Sequence, residues 1–434
     1  MPSERDDTEP PESASETGAQ VVGALKLGKS ASWLFGADVV FTAGRALTLF
    51  ILGRLLGGEG FGRYLAILGL TQLLFPLARA GIAHVMVRAV TQGVRLDAVW
   101  PKVLGVHVVG GALGSVASVL LGGLLFDASP VTTLLIGLGQ LVGLGILQAG
   151  NMAAAAYDRS VLGLINNGVS TVLRVIALLV FAFVIAEQSV DSWAWLLAGS
   201  MLLTGVTTAL LMQRSLGASL RLELPEKSDL SMGAGFVFVD FANSAQSDID
   251  KVVLGAFGLN ADLGVYGVAT RVAEVANLPL TALVRASYSE FFRRGSGTIG
   301  SALQYARKLT LVSTGYGLAM AGVLWLGAPL LEPLMGDEFA ESVEALRWIA
   351  VLPALRALQV FPANVLSGID RQWTRARLMI GAASLNLAIN IGLAPEFGWR
   401  GAAAATVIAE SVFAALLWIT VRRAARAESS IDAV

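Results

Sequence analysis

Cysteine is absent from all 434 residues. That excludes disulfides and thiolate metal sites. Histidine occurs only at His84 and His107, too few for a histidine-rich metal centre, so no metal is expected. Charge is scarce: Asp, Glu, Lys and Arg make up 15% of the chain, against roughly a quarter in soluble domains. No GxxxxGK[ST] phosphate loop occurs and no cofactor-binding domain is visible, so no cofactor is expected. Without a nucleotide site, any transport has to run on an ion gradient, the membrane potential or the substrate's own gradient. The net charge of −1 carries little information, because the charges are segregated by position along the chain. No nucleic-acid partner is expected.

What is plentiful is apolar sequence. Hydrophobic residues make up 55% of the chain and the mean hydropathy is +0.68. The apolar runs are near twenty residues long rather than alternating ten-residue strands, which predicts an all-α integral membrane protein. Twelve spans are expected, near 30–53, 61–84, 102–126, 131–156, 161–186, 192–213, 232–257, 264–287, 306–330, 343–367, 374–394 and 399–421. Residues 1–20, rich in Glu, Asp, Ser and Pro, read as a disordered cytoplasmic tail. The first apolar run reads as an uncleaved signal anchor. With the N-terminus inside, nineteen lysines and arginines fall in inner segments, against Arg54, Arg63 and Arg400 outside. That is a strong positive-inside bias. It places both termini in the cytoplasm and makes the protein multi-pass.

The chain carries marks of an internal duplication. Leu52-Gly53, Gly62 and Tyr64 recur 202 residues later as Leu254-Gly255, Gly264 and Tyr266. Asn151 with Asp158-Arg159 is matched by Asn364 with Asp370-Arg371. Two lobes of six helices follow, 21–213 and 231–423, joined by a cytoplasmic linker at 214–230 and followed by a tail at 424–434. Both halves enter from the same side, so the repeats are parallel. Transporters built this way place substrate at the interface of the repeats.

The stretch Phe236–Arg294 is the most informative. Asp240, Asn243, Ser244, Ser247, Asp248 and Lys251 share one face of a helix, with Val237, Phe241, Ala245, Ile249, Val252 and Ala256 on the other. Elsewhere, Asp38, Arg45, Arg79, Arg174, Arg271, Glu274, Arg285, Arg347, Arg356 and Glu410 also lie inside the expected spans. A charge at the bilayer centre costs about 3 kcal/mol by insertion scales. A shared aqueous cavity between the lobes is the simplest way to hold so many. Arg79 and Arg285 can also snorkel from inner helix ends. Arg347 and Lys251 read as interfacial at outer ends, and Asp250 as a helix-end cap. Tyr64, Trp100, Trp193, Trp373 and Trp399 read as interface anchors. His84 and His107 read as interfacial or core histidines. Glycines from Gly110 to Gly145 predict close helix packing. Pro76, Pro279, Pro353 and Pro362 predict bends.

Basic residues outnumber acids at the deepest positions, and guanidinium suits phosphate, so the surplus of Arg suggests an anionic ligand such as a pyrophosphate or an acidic sugar. The expected anion-binding residues are Arg45, Arg79, Arg174, Arg271 and Arg356, with Asn243 and Ser247 beside them. Titratable residues for ion coupling are Glu274 first, because it lies three residues from Arg271, then Asp240, Glu410 and Asp38.

The segments LGRLLGGEGFGRYLAILGLTQLL, DIDKVVLGAFGLNADLGVYGVATR, LPLT, RASYSEFFRR and GWRGAAAATVIAES resemble Wzx-type polysaccharide flippases. The resemblance runs from about Leu27 to Arg423. That family belongs to the superfamily of MATE exporters and the lipid II flippase, and the two extra C-terminal spans of the lipid II branch are missing here. The resemblance implies a V-shaped bundle of two six-helix lobes with a central cationic cavity. It implies an undecaprenyl-pyrophosphate-linked oligosaccharide as substrate, flipped between leaflets for O-antigen, lipopolysaccharide or exopolysaccharide synthesis, beside a polymerase or glycosyltransferases. It also implies cavity arginines in helices 1, 2 and 8, matched by Arg45, Arg79 and Arg271. Three alternatives stay open: a MATE-like cation antiporter, which calls for an acid-rich cavity; a membrane enzyme, which calls for a large outer loop; and a non-transporting part of a synthase complex. The outer loops are short, so an enzyme is not expected.

Overall fold

A computed structural model describes Gly44 and residues 48–126, 128–295 and 298–431. The described residues form helices and short turns, with no strand among them. They include eight helices long and apolar enough to cross a membrane, or nine if a bent pair counts as one span. The protein is a multi-pass membrane protein.

The helices run α1 Thr48–Arg79, α2 Ile82–Thr91, α3 Leu96–Phe126, α4 Pro130–Ala156, α5 Ser160–Phe183 and α6 Val190–Leu216. After a nonhelical connection at 217–226 come α7 Lys227–Ala256, α8 Asn260–Ala276, α9 Leu278–Gly295 and α10 Ile299–Met335. The last four are α11 Asp337–Ile349, α12 Leu352–Gly368, α13 Gln372–Phe397 and α14 Trp399–Ile431. This order is consistent with twelve spans. The polar α7 is 30 residues long, about 45 Å of helix, enough for a core of about 30 Å. Part of the first expected span, with Asp38 and Arg45, lies outside the described residues.

Local chemistry sets the helix ends. Ser129, Ser189 and Thr298 each accept a backbone N–H at the start of a helix. Glu226 and Asp229 form a reciprocal capping box at the start of α7. The second expected span stops at Arg79, short of residue 84, because Ala80 and Gly81 both have positive φ and start the short α2. The span expected at 264–287 breaks at Asn277, two residues before Pro279. The span expected at 343–367 bends by 41° at Ala350–Val351, just before Pro353. Proline removes a backbone donor and crowds the preceding turn, so a break just ahead of it is the relaxed outcome. Two π-helical stretches, Val106–Gly110 and Leu138–Leu144, sit in the glycine-rich parts of α3 and α4.

The duplication is visible in backbone geometry. Asp158 (φ 54°) and Asp370 (φ 57°) are two of only three non-glycine residues with positive φ among those described. Each is followed by an arginine whose N–H reaches back five residues: Arg159 to the Ala154 carbonyl and Arg371 to the Leu366 carbonyl, both at 2.8 Å. The same turn has been built twice. Gly57 and Gly258, one residue out of register with the offset of 202, both have φ 71°. Gly57 interrupts α1, separating 48–56 from 58–79.

The repeat marks turn out to be where the halves touch. A Cβ on Gly62 would stand 1.7 Å from the Asn260 carbonyl oxygen, and one on Gly264 would stand 2.2 Å from the Gly58 carbonyl oxygen. With the offset of 202, position 62 corresponds to 264 and 58 to 260, so the two contacts are equivalents of one another. Residue i meets j′ and j meets i′, as across a two-fold axis. The Glu338 carboxylate adds a hydrogen bond from the Gly58 N–H at 2.8 Å. All of these residues belong to the end expected outside. At the opposite end, Lys102 of α3 pairs with Glu226 and Asp229, both at 2.9 Å, and Gly81 packs against Gly233.

The aromatic anchors need correction. Tyr64, Trp100, Trp193 and Trp399 are almost completely buried, and only Trp373 is exposed. Neighbouring helices pack over these rings. Phe181 sits edge-on to Trp193, and the Trp399 indole donates to Glu341 at 2.6 Å. The glycine expectation fits: Gly111 abuts the Leu141 backbone, Gly137 abuts Ser115 and Gly143 abuts the Met201 carbonyl.

Candidate functional site

The polar face of α7 exists because an apolar stripe holds the helix in place. Ala242 and Ala245 are buried, while Asn243 and Ser247 are exposed. The Asn243 amide is tied to its own helix through the Val239 carbonyl at 3.0 Å. One turn further on, Lys251 pairs with Asp248 at 2.5 Å and donates to the Ser247 carbonyl at 2.9 Å. Lys251 is not interfacial, as its position near the helix end suggested, but buried. Asp250 is not an exposed cap. It is buried and accepts from the Tyr266 hydroxyl at 2.8 Å, and that hydroxyl also meets Thr406 at 3.1 Å. The reason is that α8 folds back over this end of α7 and carries Tyr266 onto it.

α8 supplies Arg271 and Glu274. The guanidinium Nη1 donates to the carboxylate at 2.6 Å, and the Arg271 Nε has no partner among the described residues. Arg174 donates to the Met201 sulfur at 3.3 Å and has no carboxylate partner among the described residues. Arg79, at the end of α1, donates to the Gln148 amide oxygen at 2.9 Å and lies 4.7 Å over the Phe75 ring. It too lacks a carboxylate within bonding distance among the described residues. Its surroundings include Asp240, which sits 3.3 Å from the His84 ring nitrogen across the lobes. That ring stacks on Phe236 at 4.6 Å. His107 is buried, bonded to the Val103 carbonyl at 2.7 Å, as a core histidine should be.

Arg356 and Glu410 lie deeper in the C-terminal lobe. Glu410 of α14 is buried and accepts from Gln246 at 3.0 Å and Gln359 at 2.6 Å. Arg356 makes no hydrogen bond or ion pair with the described residues, and it lines a cavity of about 330 Å³ together with Asn243, Ser247 and Glu410. The expected anion residues therefore fall into two groups. Arg174 packs on Met201, Arg271 pairs with Glu274 and Arg79 bonds Gln148, whereas Arg356 lines the cavity of the C-terminal lobe. Gln148, Gln246 and Gln359 were not singled out from sequence. Uncharged amides inside apolar helices were the available signal, since they too need partners there.

The profile of the polysaccharide biosynthesis protein family matches residues 27–291. The chain belongs to that family. No curated protein matches the chain. Among solved structures, it is similar to an inward-facing multidrug resistance MATE family transporter of the MOP superfamily, with TM-score 0.73 at 18% identity, covering 90% of this chain and 96% of that one. An outward-facing transporter of the same description gives 0.64 at 17% identity over 93% and 96%. A MOP superfamily transporter from Pyrococcus furiosus, described as having reversed polarity in its binding pocket, gives 0.62 at 15% identity over 92% and 96%. The polysaccharide biosynthesis protein thus has the MATE fold.

Proposed function

We propose that this polysaccharide biosynthesis protein flips a polyprenyl-pyrophosphate-linked oligosaccharide from the cytoplasmic to the outer leaflet. The observation that carries the reading is the pairing of the deep cations. Among the described residues, Arg79 and Arg174 have only neutral hydrogen-bond partners, and Arg271 keeps one N–H unpartnered. Guanidinium groups without carboxylates, held away from bulk water, are receptors for phosphate. An exporter of organic cations needs the opposite balance.

Coupling follows from the Arg271–Glu274 pair. An anionic headgroup arriving at Arg271 competes with Glu274 for the guanidinium. The released carboxylate then holds a proton more readily, because it has lost a cation and is partly desolvated. Release outside restores the pair. No enzymatic step is required. The protein works in the bacterial inner membrane with both termini cytoplasmic, and glycosyltransferases and a polymerase supply and consume its substrate. The test is flux of a fluorescent polyprenyl-pyrophosphate oligosaccharide in vesicles, compared between the parent and Arg174→Gln. A tenfold or greater loss of flux at normal expression supports the reading. Undiminished flux contradicts it.

A further inference from the structure

The connection between the lobes is more apolar than a loop in water should be. Residues 217–226 read GASLRLELPE and are nonhelical throughout. Leu220, Leu222 and Leu224 alternate with Arg221 and Glu223, and they are 38%, 59% and 68% exposed. Pro225 disfavours a helical backbone at Leu224, so α7 does not extend back over them. Three bare leucines within five residues form an apolar patch that contact with water disfavours. No step above uses it.

The depth of this segment follows from what it touches. The Glu223 N–H donates to the Pro101 carbonyl of α3 at 3.1 Å. A Cβ on Gly105 would stand 1.9 Å from the Glu223 carbonyl oxygen, so the glycine lets the connection lie flat on α3. Lys102, between these two contacts, ties down the end of the segment through Glu226 at 2.9 Å. Gly105 lies 21 residues from Phe126 at the other end of α3, about 32 Å at 1.5 Å per residue. Polar groups mark that other end, where the Thr132 hydroxyl donates to the Asp191 carboxylate. A hydrocarbon core of about 30 Å measured from there ends near Gly105. The leucines therefore sit at headgroup level rather than out in water. They also lie on the lipid side of the bundle. Gly105 is four residues from Val109, on the face of α3 that continues through the exposed Leu113, Leu120 and Leu124.

The charges around the patch are complementary to such a surface. Arg214, Arg221 and Lys227 are all exposed. Lys102 occupies Glu226 and Asp229, so three cations across 214–229 stand against one remaining carboxylate, Glu223. Leucines interleaved with cations suit an interface, where apolar side chains reach the acyl boundary and long basic ones reach phosphate. We propose that the connection is a strap bedded in the headgroup layer of the adjoining leaflet. Leu220, Leu222 and Leu224 insert into that layer, and Arg214, Arg221 and Lys227 hold anionic phospholipid. The strap fixes the N-terminal lobe to the leaflet at α3, whatever the protein transports.

The test uses the full chain in vesicles of phosphatidylcholine and phosphatidylglycerol. Leu222→Cys or Gln92→Cys supplies the single cysteine, carrying a polarity-sensitive fluorophore. Gln92 lies in the exposed turn between α2 and α3 and reports water. Lipid bearing a nitroxide near the headgroup end of its acyl chain quenches the probe at 222 at least threefold more than the probe at 92. Aqueous iodide does the reverse. Omitting phosphatidylglycerol, or combining Arg221→Gln with Lys227→Gln, at least halves the lipid quenching at 222. Equal iodide quenching of the two probes overturns the proposal. Lipid quenching indifferent to phosphatidylglycerol and to both arms of the charge test overturns the phosphate contact. A disulfide between two Leu222→Cys chains without lipid quenching gives the patch to a second copy of the chain, and overturns it too.

Discussion

Gly62→Ala is the most incisive single change. The added Cβ would lie 1.7 Å from the Asn260 oxygen, 2.6 Å from the Asn260 carbonyl carbon and 2.9 Å from the Gly264 nitrogen. All three are backbone atoms, so no side chain can swing aside, and the two lobes must separate at this end. Overpacking of this kind costs about 1–3 kcal/mol. The cost falls only on the state in which the crossing is closed, so the ratio of outer-open to outer-closed molecules rises roughly 5–150-fold. With no native cysteine, Glu59→Cys and Ala261→Cys can report on the closed crossing by disulfide formation. The pair cross-links in the parent background, and Gly62→Ala lowers the yield at least fivefold. Gly264→Ala does the same, because it blocks the equivalent contact. Unchanged cross-linking at normal expression in both variants would refute the crossing as the outer closure.

Other expectations follow from particular contacts. An impermeant thiol reagent labels Ser189→Cys in intact cells and not Ser228→Cys, and the reverse pattern overturns the topology. Glu274→Gln, which retains shape without ionising, leaves expression normal and abolishes the response of flux to an imposed pH gradient in vesicles; a response like the parent's removes Glu274 as the coupling site. Tyr266→Phe takes a donor from the buried Asp250 and destabilises the protein by about 1–3 kcal/mol, read as a lower thermal unfolding midpoint in detergent. An unchanged midpoint means that Asp250 finds another donor.

The fold was legible because spans near twenty apolar residues have few alternatives, and the duplication was legible because two turns repeat. The residues at 62 and 264 could be equated from sequence, yet spacing alone does not say that equivalent residues meet across an axis. Lys251, Asp250 and four of the five aromatic anchors were misplaced for one reason. Distance from a span end indicates depth in the membrane but not whether a neighbouring helix covers that face. The charged site residues stood out because charge in an apolar run is costly. The amides around Glu410 and the 330 Å³ cavity stood out less, because a glutamine or asparagine costs less and its partner comes from a helix distant in sequence.

The central claim is that guanidiniums without carboxylate partners carry a pyrophosphate headgroup. It is tested most directly by reconstituting the full chain and following accessibility of a fluorescent polyprenyl-pyrophosphate oligosaccharide to an impermeant quencher. The account predicts protein-dependent flipping that falls at least tenfold in Arg79→Gln and Arg174→Gln and is blocked by the matching pyrophosphate analogue. Flipping that is indifferent to both arginines, or transport of an organic cation with no movement of the lipid, would contradict it.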